Sequence, residues 1–362
     1  MLAEEQNVLE IIEEPEPVVD SVAIWKASQI DSFFQDRYDR GKFNGTVLFA
    51  DSGKVIFKGA YGYADLKSKD TLVTTSAFQL ASCSKPITAL AVLLLVDEGK
   101  ISLTDTIQKF IPDFPYHGIT VKMLLIHRHG LSNYMYFSDK YWGDWNKPIS
   151  NADVIDIMKK WKPAPYYLPN KRYNYSNTGY MMLASIIEKA SGVSYDKFVE
   201  TRIFKKLGMN DSFIFNSALD PKRKDKGVKG YRSNGREAPN TYQNGVVGDK
   251  GVYSTVEDLF KLDQALYNGD LISERMLDSA FTKAHPELYD NDNYGLGWRI
   301  QDFGTEKIVY HGGWWKGFKT YFIRVIPERY TIIVLSNKLS GFLQVPKLRA
   351  LMDDPPETSN ID

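Results

Sequence analysis

A serine and a lysine stand three residues apart where an apolar segment begins. Ser82 and Lys85 lie in the run ASCSKP, which ends in Pro86. Side chains at positions i and i+3 of a helix point the same way, so the amine could take the proton of the serine hydroxyl. Because proline is tolerated in a first helical turn, Pro86 predicts that Ser82 lies at or near a helix start. The pair indicates a nucleophilic serine, and the alternative is an N-capping serine beside a solvated lysine.

The predicted helix start would also supply the electrostatics that such chemistry needs. Free backbone amides and the helix dipole favour negative charge that develops near Ser82. Burial disfavours the charged form of a lysine, so a neutral Lys85 that acts as a base is physically possible.

A hydroxyl-rich segment supplies a second set of polar side chains. The run YNYSNTGY places Tyr175 two residues before Asn177. In an extended or loop segment, side chains two residues apart face the same way. The phenol could relay protons while the amide orients a substrate. The alternative is a turn that only packs its tyrosines.

The third set is rich in glycine. His311, Gly312, Gly313 and Trp314 follow one predicted strand and precede the next. Glycines let a ligand approach the backbone closely. Strand amides beside them can donate to an oxyanion, and each well-placed donor is worth about 2.7–4 kcal/mol of transition-state stabilisation. The alternative is a glycine-rich hairpin with an incidental histidine.

Apolar periodicity predicts the elements that must position these side chains. Within 78–99, residues 79–85 lead into a predicted apolar helix that Glu98 and Gly99 close, and we expect this helix to be central. The other predicted helices span 24–38, 154–161, 181–191, 195–207 and 255–267. The predicted strands span 45–49, 55–61, 297–301, 307–310, 319–325 and 330–335.

Strands at both chain ends with helices between them predict an α/β (α+β) fold. One antiparallel sheet would be built from both chain ends with flanking helices, beside a mostly helical lobe. We expect a flexible acidic leader over 1–21, one catalytic domain over 22–352 and a flexible tail over 353–362. Within the domain, the α/β lobe would span about 22–80 and 290–352, and the helical lobe about 81–289, with the site in the cleft between them.

Composition restricts the classes of partner. The 362 residues contain 45 basic and 45 acidic side chains, 43% hydrophobic residues and 25% charged residues. This composition is ordinary for a folded globular protein and excludes disordered, collagenous and disulfide-scaffold classes. A balanced charge gives no field that attracts nucleic acid, so a small molecule or a peptide is the expected substrate.

Other features argue against a membrane span, a disulfide and a metal site. No apolar run reaches the ~18–20 residues that a membrane span needs. Cys83 is the single cysteine and cannot form an internal disulfide. His127 and His129 alone are too few for a metal site, so neither a metal nor another cofactor is predicted.

Together and in this order, the three sets resemble the serine β-lactamase and penicillin-binding protein superfamily. The similarity is closest to its class C β-lactamase-like branch, which includes esterases and D-amino-acid peptidases, and it runs from about Ile24 to Asn337. The further segments that carry it span 78–89, 98–105, 124–127, 207–209, 248–255 and 294–298. The resemblance implies a β-lactamase/transpeptidase-like fold.

The resemblance also implies roles for individual residues. Ser82 would be the acylated nucleophile, Lys85 its proton partner and Tyr175 the general base. Asn177 would bind the substrate through its amide. His311 would be the fourth catalytic residue, at a position where related enzymes often have the lysine of a Lys-Thr-Gly motif.

A histidine at this position is common in esterase and peptidase members, and it would be neutral or charged near physiological pH. The oxyanion hole would use the amides of Ser82 and Trp314. The chain departs from relatives at His129, in HRHGL where they usually carry His-Thr-Ser-Gly-Leu. We expect His129 to alter loop packing or to reach the cleft.

The expected function is that of a serine hydrolase with a covalent acyl-enzyme on Ser82. Its substrate would be an ester, an amide or a D-amino-acid peptide. A class C-type β-lactamase or a penicillin-binding D-Ala-D-Ala peptidase is one alternative. A catalytically silent module that binds cell-wall peptides or a partner protein is the alternative from another class.

Localisation follows the resemblance. Residues 1–20 have neither a basic start nor an apolar core, so they do not form a signal peptide. Relatives are mostly exported to the bacterial envelope. We expect the periplasm or cell envelope, with the export signal removed, and the cytoplasm is the alternative.

Overall fold

The computed structural model describes residues 20–285, 287, 293–341 and 343–355. The α-helices are α1 (Ser21–Asp39), α2 (Ser84–Asp97), α3 (Ile107–Phe110), α4 (Val121–Leu125), α5 (Tyr134–Tyr141), α6 (Asn151–Trp161), α7 (Asn177–Ser191), α8 (Tyr195–Val199), α9 (Val256–Asn268), α10 (Glu274–Ala280) and α11 (Val345–Arg349). The β-strands are β1 (Gly45–Asp51), β2 (Lys54–Tyr61), β3 (Tyr63–Asp65), β4 (Asp70–Thr71), β5 (Phe78–Gln79), β6 (Phe213–Ile214), β7 (Val252–Ser254), β8 (Asn293–Tyr294), β9 (Arg299–Asp302), β10 (Lys307–Trp315), β11 (Phe318–Val325) and β12 (Tyr330–Ser336).

The two ends of the described chain build one antiparallel sheet. Its strand order is β2-β1-β12-β11-β10-β9-β8. The early strand β1 pairs with the late strand β12, from Gly45 opposite Ser336 to Ala50 opposite Thr331. The predicted α/β class and the sheet built from both chain ends are confirmed.

The central strands of this sheet carry apolar side chains on both faces. Helices therefore cover both faces. In β1, Val47 and Phe49 lie in an apolar cluster with residues of α1 and α11. Leu48 and Ala50 lie in a second cluster, with residues of α2, α7 and α9. Successive side chains of a strand point to opposite faces, so a strand buried on both faces reads as one continuous apolar run.

The helix α2 is central to the second cluster. Every residue from Ser84 to Leu95 is buried, and the helix contacts α7 and α8. A helix that is apolar on all sides is buried on all sides. It ends at Asp97, and Gly99 follows with a φ of 70°, a conformation that favours glycine at a helix end. The predicted central helix therefore forms, and it closes where the sequence indicates.

One strand is longer than the sequence predicts. The strand predicted to end at Tyr310 continues to Trp315 as β10, so His311 and the glycines after it lie inside a strand. The extension forms because β11 pairs with all of it, up to Trp315 opposite Phe318. The two residues between these strands, Lys316 and Gly317, have φ values of 40° and 97°, as in the tight hairpin turns that match strand twist.

The middle of the chain also differs in detail from the prediction. The helix predicted over 195–207 ends at Val199 and continues as one π-helical turn, Glu200–Phe204. The mostly helical middle contributes β6 and β7 to a small three-stranded sheet of order β5-β7-β6. Strands of two or three residues are too short to leave a periodic signal in the sequence.

The predicted leader and tail fall largely on residues that the structure does not describe. Residues 1–19 of the leader and 356–362 of the tail lie outside the described residues. Asp20 caps α1 by accepting from the Ala23 amide at 3.0 Å. Asp354, in the predicted tail, forms an ion pair with Lys26 Nζ at 2.8 Å. The single domain and its lobe boundaries stay predictions.

Membrane-spanning helices and metal-binding clusters are both absent from the described ranges. None of the helices within them is both long and apolar enough to cross a bilayer. In the same ranges, no three His, Cys, Asp or Glu side chains are grouped so that they could hold a metal ion.

Candidate active site

Ser82 lies in a tight turn that leads into α2. The residue before it, Ala81, has a φ of 50°, which is uncommon for a residue other than glycine. Strand β10 packs closely against this turn at Gly313. Any larger residue there would clash, since an added Cβ would lie only 2.2 Å from the Leu80 carbonyl oxygen. Thr320 Oγ1 donates to the same carbonyl at 2.7 Å. The serine therefore stands at the start of α2, as predicted, with β10 beside it.

The two glycines of β10 have different surroundings. The group that approaches Gly313 most closely is the protein backbone at Leu80. Around Gly312 there is more space, since the nearest atom to an added Cβ would be a ring carbon of Tyr321 at 3.7 Å. Both glycines line the cleft that contains Ser82. Gly313 thus brings β10 and the serine together, and Gly312 leaves the cleft open.

Lys85 is held by three oxygen atoms. Its Nζ lies 3.0 Å from Ser82 Oγ, 2.8 Å from Asn177 Oδ1 and 3.0 Å from the Asp249 carbonyl oxygen. A neutral amine has two hydrogens and one lone pair, and an amide or carbonyl oxygen can only accept a hydrogen. The lone pair is therefore left for the hydroxyl hydrogen of Ser82.

The surroundings of Lys85 change its basicity. Its side chain is fully buried, and the loss of water lowers the pKa of Lys85 to about 8. The charge of Asp249 opposes this shift, and the charge of Arg299 adds to it. A substantial fraction of the amine is therefore neutral near physiological pH.

The Tyr175 phenol lies beside Ser82 and two cations. Lys85 Nζ lies 5.0 Å from the centroid of its ring, and the Arg299 guanidinium carbon lies 5.4 Å from it. Loss of water raises the pKa of Tyr175, and a hydrogen bond with Ser82 and the charge of Arg299 reduce the rise. The phenol of the free protein is therefore protonated at neutral pH.

Asn177 is the first residue of α7. Its Oδ1 accepts from Lys85, and its amide nitrogen contacts the sulfur of Met135, which is a weak acceptor. The next residue, Thr178, fixes this helix start, because its hydroxyl accepts from the Tyr134 amide at 2.8 Å and donates to the Ser132 carbonyl at 2.7 Å. In this arrangement the oxygen of Asn177 orients Lys85, and its NH₂ group faces the cleft side where Met135 lies.

His311 is buried behind the Tyr175 ring, with centroids 6.3 Å apart. Both of its ring nitrogens have partners: the Tyr294 hydroxyl lies 3.0 Å from Nε2, and the Gly312 carbonyl oxygen lies 2.8 Å from Nδ1. Burial and the nearby charges of Arg299 and Lys85 lower the pKa of His311. Of the two states that the sequence left open, the neutral imidazole is therefore the one at physiological pH.

Sequence reasoning missed an ion pair in the same cleft. Asp249 and Lys250 are both buried, with Lys250 Nζ 3.4 Å from Asp249 Oδ2, and the Tyr134 hydroxyl donates to that oxygen at 2.9 Å. Burial lowers the pKa of Lys250. The Asp249 backbone carbonyl is also the third partner of Lys85. Two adjacent charges between glycines, in the run GDKG, were the available signal.

Arg299 is the second cleft residue that sequence reasoning missed. It lines the cleft with Ser82 and Tyr175. Its guanidinium carbon lies 5.4 Å from the centroid of the Tyr175 ring, and none of the described carboxylates forms an ion pair with it. A single arginine in a short strand gives no signal in the sequence. The cleft thus contains a guanidinium without a carboxylate partner among the described residues.

His127 holds the segment that carries Tyr175. Its carbonyl oxygen accepts from the Asn174 amide at 2.9 Å, its Nδ1 accepts from the Ser176 amide at 3.3 Å, and its ring centroid lies 4.3 Å from that of Tyr175. The residue is fully buried and has a φ of 57°. This unusual backbone conformation directs both the carbonyl and the ring to one segment, so His127 fixes the phenol from behind.

We expect the variant His127→Ala to lower kcat/KM by about 10²-fold, the cost typical of a small misplacement of a reacting group. His127→Asn should recover part of the loss, because asparagine tolerates positive φ and offers an acceptor near the Nδ1 position. Ester hydrolysis and thermal unfolding of both variants would be measured together. The exposed histidine His117 supplies the control His117→Asn, and equal activity of His127→Ala and the wild type would refute the prediction.

His129 packs the loop and does not line the cleft. Its side chain is buried, and its Nδ1 accepts from the Leu131 amide at 3.0 Å. An added Cβ on Gly179 would lie 2.8 Å from its Nε2, so the imidazole fills the space over the first turn of α7. Burial lowers the pKa of His129 to about 3, and the ring is neutral. Of the two expectations for this residue, the structure supports loop packing.

One cleft brings the predicted site residues together. It has a volume of about 630 Å³ and is lined by Ser82, Tyr175, Asn177, Gly312, Gly313 and Trp314, among others. Lys85 and His311 lie in the wall behind Ser82 and Tyr175. Clefts of ~300–1,000 Å³ are typical of small-molecule and cofactor sites. Three distant chain segments therefore converge as the sequence analysis expected.

Comparisons with known proteins agree with this geometry. The Beta-lactamase family model matches residues 30–354. Penicillin-binding protein 4* of Bacillus subtilis (strain 168) is 39% identical over 326 residues, which cover 86% of this chain and 72% of that protein. Protein flp of Staphylococcus aureus (strain NCTC 8325 / PS 47) is 25% identical, and the chain spans 64% of its length.

A solved structure gives the same result for the fold. The octameric penicillin-binding protein homologue from Pyrococcus abyssi superposes with a TM-score of 0.75 at 28% identity, over 86% of this chain and 73% of that one. The match of the family model extends over most of the chain, and it includes every predicted site residue. The chain therefore belongs to the beta-lactamase family and is a serine hydrolase.

Proposed function

We propose that the enzyme hydrolyses an ester, an amide or a D-amino-acid peptide through a covalent acyl-enzyme on Ser82. The observation that carries this proposal is the environment of Lys85. Its Nζ lies 3.0 Å from Ser82 Oγ, and its other two partners, on Asn177 and Asp249, can only accept hydrogens. With a pKa of about 8, Lys85 has a lone pair available to the serine near neutral pH.

In the first half of the proposed reaction, Ser82 Oγ attacks the substrate carbonyl carbon. The hydroxyl proton passes to Lys85 Nζ, and a tetrahedral intermediate forms. When this intermediate collapses, the bond to the leaving group breaks and the Tyr175 phenol gives its proton to the departing oxygen or nitrogen. The raised pKa of Tyr175 supports this assignment, since the phenol enters the reaction protonated.

In the second half, water attacks the acyl carbonyl and Ser82 leaves. Tyr175, now a phenolate, takes the proton of the water, and Lys85 returns its proton to Ser82 Oγ. The products are a carboxylic acid and the alcohol or amine released earlier, and all protons are accounted for. Tyr175 is thus a base only after it has acted as an acid, which refines the role that the family resemblance implies.

The oxyanion would be bound by the backbone amides of Ser82 and Trp314. The free edge of β10 supports this assignment, because β11 pairs with the strand as far as Trp315, whereas β9 pairs only with Lys307–Tyr310. Beyond Tyr310, no described strand therefore covers the second edge of β10. Such an edge has unpaired amides and carbonyls that a substrate can bind.

Arg299 would bind a carboxylate of the substrate. It is a cation in the cleft wall, and its guanidinium carbon lies 5.4 Å from the centroid of the Tyr175 ring. Guanidinium groups bind carboxylates through two parallel hydrogen bonds. This supports a peptide with a free carboxyl group as the substrate, in agreement with the D-amino-acid peptidase proposal.

The proposal is tested by acylation followed by mass spectrometry. A fluorophosphonate or a fluorescent penicillin should add its acyl or phosphonyl mass to the wild type, with the modified peptide mapped to Ser82. The Ser82→Ala variant should show no adduct. If the folded wild type gave no adduct with either reagent, the chain would be a silent binding module of cell-wall peptides or a partner protein.

A second candidate function is a penicillin-binding D-Ala-D-Ala peptidase or a class C-type β-lactamase. The similarity to penicillin-binding protein 4* supports it. The two differ in the lifetime of a penicilloyl adduct, which persists in a penicillin-binding peptidase and is hydrolysed rapidly in a β-lactamase. In either case we propose that the enzyme acts in the periplasm or cell envelope.

A further inference from the structure

Two aromatic side chains in the wall of the cleft are mostly exposed. The side chains of Tyr136 and Trp314 are 70% and 71% exposed, the largest values for any aromatic residue in the described ranges. Both line the cleft that contains Ser82. Tyr136 belongs to the helical side, in α5, and Trp314 belongs to the sheet side, in β10. The two rings thus come from the two walls of one cleft.

Other exposed tryptophans differ from this pair. Trp145 stacks on Tyr242 and Trp161 stacks on Tyr141, with interplanar angles of 9° and 18°. Within the described residues, neither Tyr136 nor Trp314 stacks on another ring or on a cation. Tryptophan and tyrosine are the residues that most often dominate binding energy where they are held rigidly. The cleft therefore presents two large aromatic surfaces that no described ring covers.

Both rings are attached to rigid backbone. The start of α5 is fixed next to Tyr136, because the Tyr134 amide donates to Thr178 Oγ1 at 2.8 Å and the Tyr134 hydroxyl donates to Asp249. Trp314 pairs with Lys319 in the ladder between β10 and β11. A preformed site costs little ordering entropy when a ligand binds.

The cleft is also larger than the reacting groups of a substrate would fill. Beyond Ser82, the volume of about 630 Å³ is bordered mainly by side chains that carry no proton in the proposed reaction. Several of these are apolar or aromatic: Met135, Tyr136, Tyr310, Trp314 and Tyr321. Removing apolar surface from water favours binding in proportion to the area removed. A large apolar group on the substrate would use this wall.

We propose that Tyr136 and Trp314 form a clamp for a large apolar side chain, preferably aromatic, on the acyl part of the substrate. This inference rests on the proposed function, because it requires the acyl group to be attached to Ser82. The clamp would select acyl groups with bulky apolar side chains over acyl groups as small as acetyl. The inference therefore adds a substrate class to the proposed function. The clamp lies beside the amide of Trp314 that we assign to the oxyanion hole, so the bound side chain is next to the acylated carbonyl.

Two sulfonyl fluorides test the clamp directly. Ser82 Oγ forms a bond to sulfur, fluoride leaves and the hydroxyl proton passes to Lys85, so phenylmethanesulfonyl fluoride and methanesulfonyl fluoride differ only in the group left on the enzyme. The measured quantity is the ratio of their second-order rate constants for adduct formation. This ratio cancels any general change in the reactivity of Ser82. We expect the wild type to prefer the aromatic reagent.

The variants Trp314→Ala and Tyr136→Ala should each lower this ratio on the order of 10-fold, the value expected for the loss of one aromatic contact. Trp314→Phe should retain most of it. Trp161→Ala is the matched control, because Trp161 is exposed but stacks on Tyr141 and does not line the cleft, and its ratio should equal that of the wild type. Circular dichroism of each variant verifies folding.

The outcomes separate the two proposals. If adducts form on Ser82 but both alanine variants keep the wild-type ratio, the clamp is wrong and the proposed function stands. The clamp is equally refuted if the wild type reacts with both reagents at equal rates. If neither reagent modifies the folded wild type at Ser82, the proposed function fails and the clamp fails with it.

Discussion

Replacing Lys85 with alanine should lower the rate of Ser82 acylation by about 10²–10⁴-fold, the range typical of a lost general base. The amine lies 3.0 Å from the serine oxygen, and its other partners leave only its lone pair for the hydroxyl hydrogen. Among the described residues, Lys85 is the one whose side-chain nitrogen lies within hydrogen-bond distance of Ser82 Oγ. The rate would be measured by stopped-flow release of nitrophenol from an activated ester.

The pH dependence of the same rate gives an independent measure. Because burial lowers the pKa of Lys85 to about 8, the neutral and reactive form increases as the pH rises through that value. The acylation rate of the wild type should therefore rise about tenfold per pH unit below pH 8 and reach a plateau above it. In Lys85→Ala this rise should disappear.

Arginine at the same position distinguishes a base from a fixed charge. A guanidinium remains protonated throughout the accessible pH range, so Lys85→Arg keeps a cation and loses the base. We expect this variant to be as slow as Lys85→Ala and its rate to be independent of pH. Near-normal rates in the arginine variant, or a flat profile in the wild type, would show that Lys85 acts only through its charge.

Replacing Asp263 with alanine should lower the free energy of unfolding by about 3–5 kcal/mol, the cost typical of breaking a buried ion pair. Asp263, in α9, and Arg324, in β11, are 0% and 1% exposed, with Nε 2.5 Å from Oδ1. Thr331 Oγ1 donates to the other carboxylate oxygen at 2.6 Å. The variant would leave the Arg324 charge buried without its counterion and remove one of the links between α9 and the sheet.

Chemical denaturation of three variants would examine this explanation. Arg40→Ala is the surface control, because the Arg40 and Asp36 side chains are 72% and 52% exposed, and we expect a change below about 1 kcal/mol. The double variant Asp263→Leu/Arg324→Met should recover much of the lost stability, because it removes both buried charges. An Asp263→Ala protein as stable as Arg40→Ala would contradict the assigned role of the pair.

Part of the site is local in the sequence and could be predicted from it. Ser82 and Lys85 lie on one helical turn, so their spacing and Pro86 were enough to indicate a shared hydrogen bond at a helix start. The apolar runs of β1, β11 and β12 likewise indicated strands at both chain ends. These features depend on residues that are near neighbours along the chain.

Other features depended on residues far apart in the chain. The close approach of Gly313 to the Leu80 carbonyl joins two segments that are more than two hundred residues apart. The strand predicted to end at Tyr310 is extended because β11 pairs with it. Arg299 left no sequence signal, since only the folded chain sets it beside Tyr175.

The sequence by itself indicated the family, the hydrogen-bonded pair of Ser82 and Lys85 and the antiparallel sheet, because each leaves a periodic or closely spaced pattern in neighbouring residues. Only the tertiary structure placed Arg299 and His127 beside Tyr175. It also set the surroundings that shift the pKa values of Lys85, Tyr175 and His311. Desolvation and long-range Coulomb interactions set these properties. They depend on which distant side chains exclude water from a group, and that information exists only once the chain has folded.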